Sequence, residues 1–376
     1  MNIQEPLQLL GGITPEVFMR RYWQKKPLLI RGAIPGFGPI LERADLLDLA
    51  AQDEVESRLV AQTDARGNKA WRFKHGPFTR KMLPPFKQAA WTLLVQGVDL
   101  HDQRLHRLLN QFRFVPDARL DDLMISYATD GGGVGPHFDS YDVFLLQAHG
   151  TRRWRIGRQK DLSLQPDMPL KILANFEPEQ EFDLGPGDML YLPPRYAHDG
   201  IAMGECMTYS IGFRSPSEGE VAREMLQRLS DHAGEESAQS LYKDPDQPAV
   251  GQSAEIPQSM AEFAKRAVQA ALSDPQALAQ SLGEYLTEPK ANVWFEGNEW
   301  SEDVGVHLDR RTRMMYDAKH IFINGESFRA AGKDATLMRA LANTRSMAAK
   351  EVARLSDDAR ELLMQWCEDG WLYATD

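Results

Sequence analysis

The sequence predicts an α+β protein with a β-barrel or sandwich in its middle, a helical module behind it and a small α+β tail. Three observations carry this. From Leu120 to about Ser215 the apolar runs "DDLMISYA", "DVFLLQ", "RRWRIG", "EFDL", "DMLYLP" and "CMTYSIGF" are short and punctuated by Gly and Pro, as expected of strands joined by tight turns. After "RSPSEGE" the period becomes helical in "EVAREMLQRLSDHA", "SMAEFAKRAVQAAL" and "DPQALAQSLGEYL", interrupted by the loop "KDPDQPAVGQSAEIP". From Arg311 the chain reads as strand, Asn324-Gly325 turn and strand, then the helices "DATLMRALANTRSM" and "SDDARELLMQWCEDG" and the closing strand "WLYAT". Ahead of the barrel, helix signals such as "TPEVFMRRYWQKKP" and "RADLLDLAAQ" mix with apolar strands such as "LLIRG". The expected boundaries are 1–215, 216–290 and 291–376.

Composition limits the function classes. With 376 residues, 43% hydrophobic and 26% charged, the chain can bury sizeable cores in two or three domains. No run of about 18 apolar residues is present to span a bilayer. The start "MNIQEPLQLLGGITPEVF" lacks the basic-then-apolar pattern of a secretory signal, so the expected location is the cytoplasm. Cys206 and Cys367 lie far apart and offer neither a disulfide framework nor a paired-cysteine metal knuckle. Any metal must therefore use histidine and carboxylate. A formal charge of -11 disfavours general nucleic-acid binding and suits a small molecule, a peptide or a basic protein.

The chemistry concentrates around "GGGVGPHFDSYDVFLLQ". Its glycines raise the question of a phosphate cradle, but the stretch lacks the GxGxxG and GK[ST] patterns and leads into a strand, not a helix N-terminus. They are better read as permitting an unusual backbone path, with Pro136 fixing the approach to His137. His137 and Asp139 are two apart, so on an extended strand their side chains share a face and can converge on one ion. Of the nine histidines, His198 stands out as a third ligand because it follows "GPGDMLYLPPRYA", where Gly187-Asp188 turns into a strand and Pro193-Pro194 stiffens its exit. Two imidazoles and a carboxylate with open positions form the facial arrangement of non-haem Fe(II) oxygenases. Zinc accepts the same donors, and a satisfied core histidine is the plainer alternative. On "TRRWRIG", period two puts Arg152, Trp154 and Ile156 on one face and Thr151, Arg153 and Arg155 on the other. An inward guanidinium is costly unless it meets a carboxylate: that of a keto-diacid on the metal or, alternatively, Asp142 or Asp183. Ser126, alternating with Met124 and Ala128, falls on the same interior as Arg152, as a hydroxyl donor or a small packing residue.

In the segments "VGPHFDSYDVFLLQAHGTRRWRIG", "LGPGDMLYLPPRYAHDG" and "MTYSIGFRSP", preceded by "FMRRYWQKKPLLIRGA", the chain resembles the JmjC-type cupin 2-oxoglutarate oxygenases over roughly residues 16 to 215. Within that family "DDLMIS", "GGGVGPH" and "GTRRWR" look most like the bacterial ribosomal oxygenases. The resemblance implies a double-stranded β-helix (jelly-roll, cupin) barrel, a helical dimerisation module and a winged-helix-like C-terminal domain. It implies Fe(II) held by His137, Asp139 and His198, and 2-oxoglutarate bound by Arg152 with help from Ser126. It also implies dioxygen-dependent hydroxylation of an arginine β-carbon in a basic large-subunit ribosomal protein, with release of succinate and CO2, by a homodimer. Many members carry Lys where this chain has Arg152. The tail is not visibly basic, so no direct nucleic-acid binding is expected. Rival readings are a histidyl hydroxylase or lysyl demethylase of the same family, or a metal-binding cupin without oxygenase activity. Asp130, Tyr141 and Asp199, beside the motifs, are candidates for a substrate channel.

Overall fold

The computed structural model describes residues 2–65, 68–236 and 241–375, which divide into two compact units, Met1–Ser215 and Pro216–Asp376. No helix among the described residues is long and apolar enough to cross a membrane.

The first unit opens with α1 (Pro15–Arg21), whose N-terminus is capped by the Thr14 hydroxyl accepting from Val17 N, with Pro15 in the first turn. Then come β1 (Leu28–Ile30), α2 (Arg43–Ala50), β2 (Ser57–Ala65), β3 (Asn68–His75), β4 (Trp91–Val95), α3 (Gln103–Leu109), β5 (Leu120–Ala128), β6 (Val143–Gly157), β7 (Gln180–Leu184), β8 (Met189–Leu192) and β9 (Ala197–Phe213). The strands form one antiparallel sheet in the order β1-β8-β6-β9-β5-β4-β2-β3, with β7 also on β6.

The sheet folds over because β6 and β9 are long and bent. "DVFLLQ" and "RRWRIG", read from sequence as separate strands, are two halves of β6. The first half pairs with β8 and the second with β7, while β9 runs beside both. The register with β9 shifts between Gln147, His149 and Thr151. Gly150 sits at the bend with φ 60°, where an added Cβ would come within 2.1 Å of Glu205 O. Gln147 satisfies the carbonyls that the bulge orphans: its amide donates to His149 O at 2.8 Å and Gly150 O at 3.3 Å, and its oxygen accepts from the Thr208 hydroxyl at 2.7 Å. The bulge flips the strand's parity. Odd-numbered Val143 and Leu145 and even-numbered Trp154 and Ile156 share one cluster with Leu184, Leu190 and Leu192, whereas Phe144 and Leu146 pack outward into the larger core with Phe18 and Tyr191. On β5, Leu123, Ile125 and Tyr127 join that larger core, and Asp122, Met124 and Ser126 line the interior cavity.

The second unit contains α4 (Glu218–Glu236), α5 (Gln258–Leu272), α6 (Pro275–Thr287), β10 (Val306–Leu308), β11 (Met314–Tyr316), β12 (His320–Ile323), β13 (Glu326–Arg329), α7 (Gly332–Thr344), β14 (Ser346–Met347), α8 (Ala349–Val352), α9 (Asp357–Glu368) and β15 (Leu372–Ala374). β10 lies between β14 and β15, and β12 between β11 and β13. Asn324 and Gly325, both with positive φ, make the β12–β13 hairpin turn. Gly283 lets α6 lie directly on Phe322, since a Cβ there would meet the ring at 2.3 Å. Gln280 donates to the Ser327 hydroxyl, which donates on to Glu284, each at 2.7 Å. α6 thus packs on the β12–β13 hairpin within the unit Pro216–Asp376. On α5 none of the residues is buried, and Met260, Val268 and Leu272 are exposed.

Candidate metal centre

The loop before His137 brings two parts of the barrel together. Gly132 and Gly133 approach backbone so closely that a Cβ would come within 2.5 Å of Trp91 O and of Gly200 O respectively, and Gly131 N donates to Ala202 O at 2.9 Å. The chain then meets the start of β9: His137 N donates to His198 O at 2.9 Å and His198 N to His137 O at 2.8 Å. This two-bond bridge sets the imidazole centroids 4.2 Å apart. His137 pairs as an isolated bridge with His198, and Phe138 and Asp139 belong to no strand. The Asp139 carbonyl accepts from the distant Arg195 N at 2.7 Å, which holds this residue against the segment leading into β9. Arg195 itself has φ 62°.

The candidate ligand atoms of His137, Asp139 and His198 all lie within 4.8 Å of one another, with His198 Nε2 3.6 Å from Asp139 Oδ2. His137 Nδ1 is 2.9 Å from Gly135 O and His198 Nδ1 is 2.9 Å from Tyr196 O. A carbonyl oxygen only accepts, so Nδ1 carries the proton in each ring and the Nε2 lone pair is left for a metal. Burial, reinforced by neighbouring His137 and opposed by Asp139, lowers the His198 pKa to about 4. The ring is thus neutral at neutral pH, as a ligand must be.

The cluster opens on a cavity of about 480 Å3. Arg152, 4% exposed, reaches it from β6 together with Trp154, and its Nη1 donates to Ser126 Oγ at 3.0 Å. Its Nε and Nη2 are buried without a hydrogen-bond partner among the described residues. The alternative partners are engaged elsewhere, Asp142 with Arg119 and Asp183 with Arg153. A buried guanidinium with two unmet N–H groups facing a three-donor cluster fits a divalent ion carrying a carboxylate-bearing chelator.

Another part of the lining, continuing along β5 from Ser126, is acidic. Asp122, 3% exposed, accepts from Gln96 Nε2 at 2.9 Å, and Gln96 Oε1 accepts from Arg58 Nη2 at 2.6 Å. Asp121 and Glu56 line the same cavity. Tyr141, 38% exposed, also lines it. Desolvation of its hydroxyl, with Asp139 and Asp122 nearby, raises its pKa well above the ordinary value, so it stays a donor at neutral pH. Asp130 and Asp199 do not line the cavity. Asp130 accepts from Gly204 N at 2.8 Å, and Asp199 points through the other face of β9 to Arg155 Nη2 at 2.5 Å. Asp122, Gln96 and Arg58 were not anticipated from sequence; stepping by two from Ser126 through Met124 would have reached Asp122.

The JmjC domain family model matches residues 107–221, and the ROXA-like winged helix model matches residues 270–373. The chain is 36% identical over 276 residues to the Escherichia coli (strain K12) ribosomal protein uL16 3-hydroxylase, covering 73% of this chain and 71% of that protein. A crystal structure of E. coli YcfD matches with a TM-score of 0.80 at 29% identity, over 96% of this chain and 98% of that one. The structure of the same ribosomal oxygenase in complex with cobalt and 2-oxoglutarate matches with a TM-score of 0.75 at 29% identity, over 96% and 98%. With this agreement extending through both the jelly-roll barrel and the winged-helix region, the chain belongs to the ribosomal oxygenase family of JmjC-domain proteins.

Proposed function

We propose that the chain is an Fe(II)- and 2-oxoglutarate-dependent dioxygenase that hydroxylates an arginine β-carbon in a basic large-subunit ribosomal protein, releasing succinate and CO2. The observation that carries this reading is Arg152. A buried cation whose Nε and Nη2 lack partners, beside a His-Asp-His cluster, is costly alone and becomes favourable when a carboxylate arrives. His137, Asp139 and His198 would hold the iron. When bound with 2-oxoglutarate and dioxygen, it supplies the oxidation of an unactivated C–H bond. Arg152 would take the far carboxylate of 2-oxoglutarate in a bidentate grip. Ser126 aids by fixing the guanidinium, accepting from Nη1 while its own hydroxyl faces Thr208 O at 3.4 Å. Val143, Leu145 and Trp154 line the cavity and exclude water around the reacting carbon. Asp122, with Asp121, Glu56 and the protonated Tyr141, would receive the substrate guanidinium.

The net charge of -11 supports a basic protein partner and argues against direct nucleic-acid contact. The exposed apolar residues of α5 support a homodimer, and the absence of a spanning helix among the described residues is consistent with a cytoplasmic enzyme. The uL16 3-hydroxylase relative supports the substrate class. Succinate release from 2-oxoglutarate, with Fe(II) and ribosomal protein extract present, tests the reading. Turnover by the wild type and none by His137→Ala is the expected result; no succinate from the wild type would refute it.

A further inference from the structure

Asp142 has no exposed surface, lies three residues beyond Asp139 and does not line the cavity. Its carboxylate accepts from Tyr191 OH at 2.6 Å, Gln24 Nε2 at 3.1 Å and Arg119 Nη2 at 3.2 Å. Two of these donors are themselves tied down: Tyr191 OH accepts from Gln24 N at 2.8 Å, and Arg119 Nε donates to Arg214 O at 2.6 Å. The carbonyl of Asp142 accepts from Phe213 N at 3.2 Å. One residue therefore joins the segment after α1, the approach to β5, strand β8 and the end of β9. At the other end of the same loop the Asp139 carbonyl is held by Arg195 N at 2.7 Å. Ser140 and Tyr141 are strung between these two pins, and the Tyr141 hydroxyl interacts with the Asp139 carboxylate.

A buried ion of this kind adds little stability over an apolar replacement of the same shape; what it supplies is a fixed geometry. We infer that Asp142 is a positioning residue for the metal centre: by anchoring the far end of the 139–142 loop to four elements, it sets where the Asp139 carboxylate stands against His137 and His198. This rests on the reading of those three residues as metal ligands.

Co(II) alone, titrated into the full chain and followed by its visible absorption, tests it without recourse to turnover. Asp142→Asn keeps the shape but turns an N–H group toward donors. Loss of an outer-shell partner typically weakens metal binding about tenfold or more, and that rise in the Co(II) dissociation constant, with altered band shape and an unchanged far-ultraviolet spectrum, is expected. Tyr191→Phe, which removes one donor, should shift affinity in the same direction by less and decides the matter if Asp142→Asn does not fold. A purely structural residue would lower thermal stability and leave Co(II) affinity of the folded protein alone. Wild-type affinity in the folded variants would overturn the inference. Failure of the wild type itself to bind Co(II) would overturn the metal-centre reading and this inference with it.

Discussion

Replacing Arg152 by Ala separates co-substrate binding from folding. Arg152 is 4% exposed, and among the described residues its guanidinium donates to Ser126 while Nε and Nη2 have no partner. Its charge is therefore poorly compensated until a carboxylate binds. Truncating one partner of a buried, hydrogen-bonded charge pair costs about 2–5 kcal/mol, and each 1.4 kcal/mol is tenfold. The KM for 2-oxoglutarate should rise by roughly thirty- to several-thousand-fold. The fold should lose little, because the deletion removes a buried charge and the space left opens into an existing cavity. The expected stability change is within about 1 kcal/mol, or roughly 2–4 °C in Tm for a domain of this size. Succinate formation against 2-oxoglutarate concentration, with a thermal melt of the metal-free protein, measures both. A KM within threefold of wild type, or a collapsed melt, would refute the assignment of Arg152 to the co-substrate.

Other outcomes follow from the same geometry. His198 is held near pKa 4 against an ordinary 6.5, so as pH falls from about 6.5 to 4 the unfolded chain takes up a proton that the folded one refuses. The metal-free protein should lose up to about 3 kcal/mol over that window, and His198→Gln should flatten this part of the denaturation profile. Gly133→Ala forces a Cβ against Gly200 O; pushing the glycine loop off β9 should weaken Co(II) binding at least about tenfold. Gly150→Ala puts a side chain at φ 60° and 2.1 Å from Glu205 O, combining left-handed strain with a backbone clash. It should cost more than about 2 kcal/mol in chemical denaturation.

Sequence patterning reached those parts of the site that depend on local periodicity. Arg152, Trp154 and Ile156 occupy one face because β6 pairs regularly with β7 and β9 there, and Ser126 meets Arg152 because β5 alternates without interruption between Leu123 and Ala128. Reading the two halves of β6 separately was what preserved the correct faces, since the bulge at His149 inverts the parity between them. Other features depended on contacts between distant segments. Gln96 reaches Asp122, and Arg58 reaches Gln96, only because β4 lies beside β5 and β2 beside β4, an order no local pattern records. Proximity in sequence misled at Asp199: the residue after His198 faces away along the strand and pairs with Arg155. The spacing of His137 and Asp139 points to their convergence, but the partners that hold them, His198 across an isolated bridge and Arg195 N on the Asp139 carbonyl, lie far along the chain.

Mass analysis of ribosomal proteins after incubation with the chain, Fe(II) and 2-oxoglutarate reads arginine oxidation at the His137, Asp139 and His198 site in a single step. One basic large-subunit protein should gain one oxygen atom, located by fragmentation on an arginine β-carbon, with no gain when His137→Ala replaces the wild type. An oxygen on histidine, the loss of a methyl group from lysine, or no mass change despite 2-oxoglutarate turnover would contradict arginine hydroxylation.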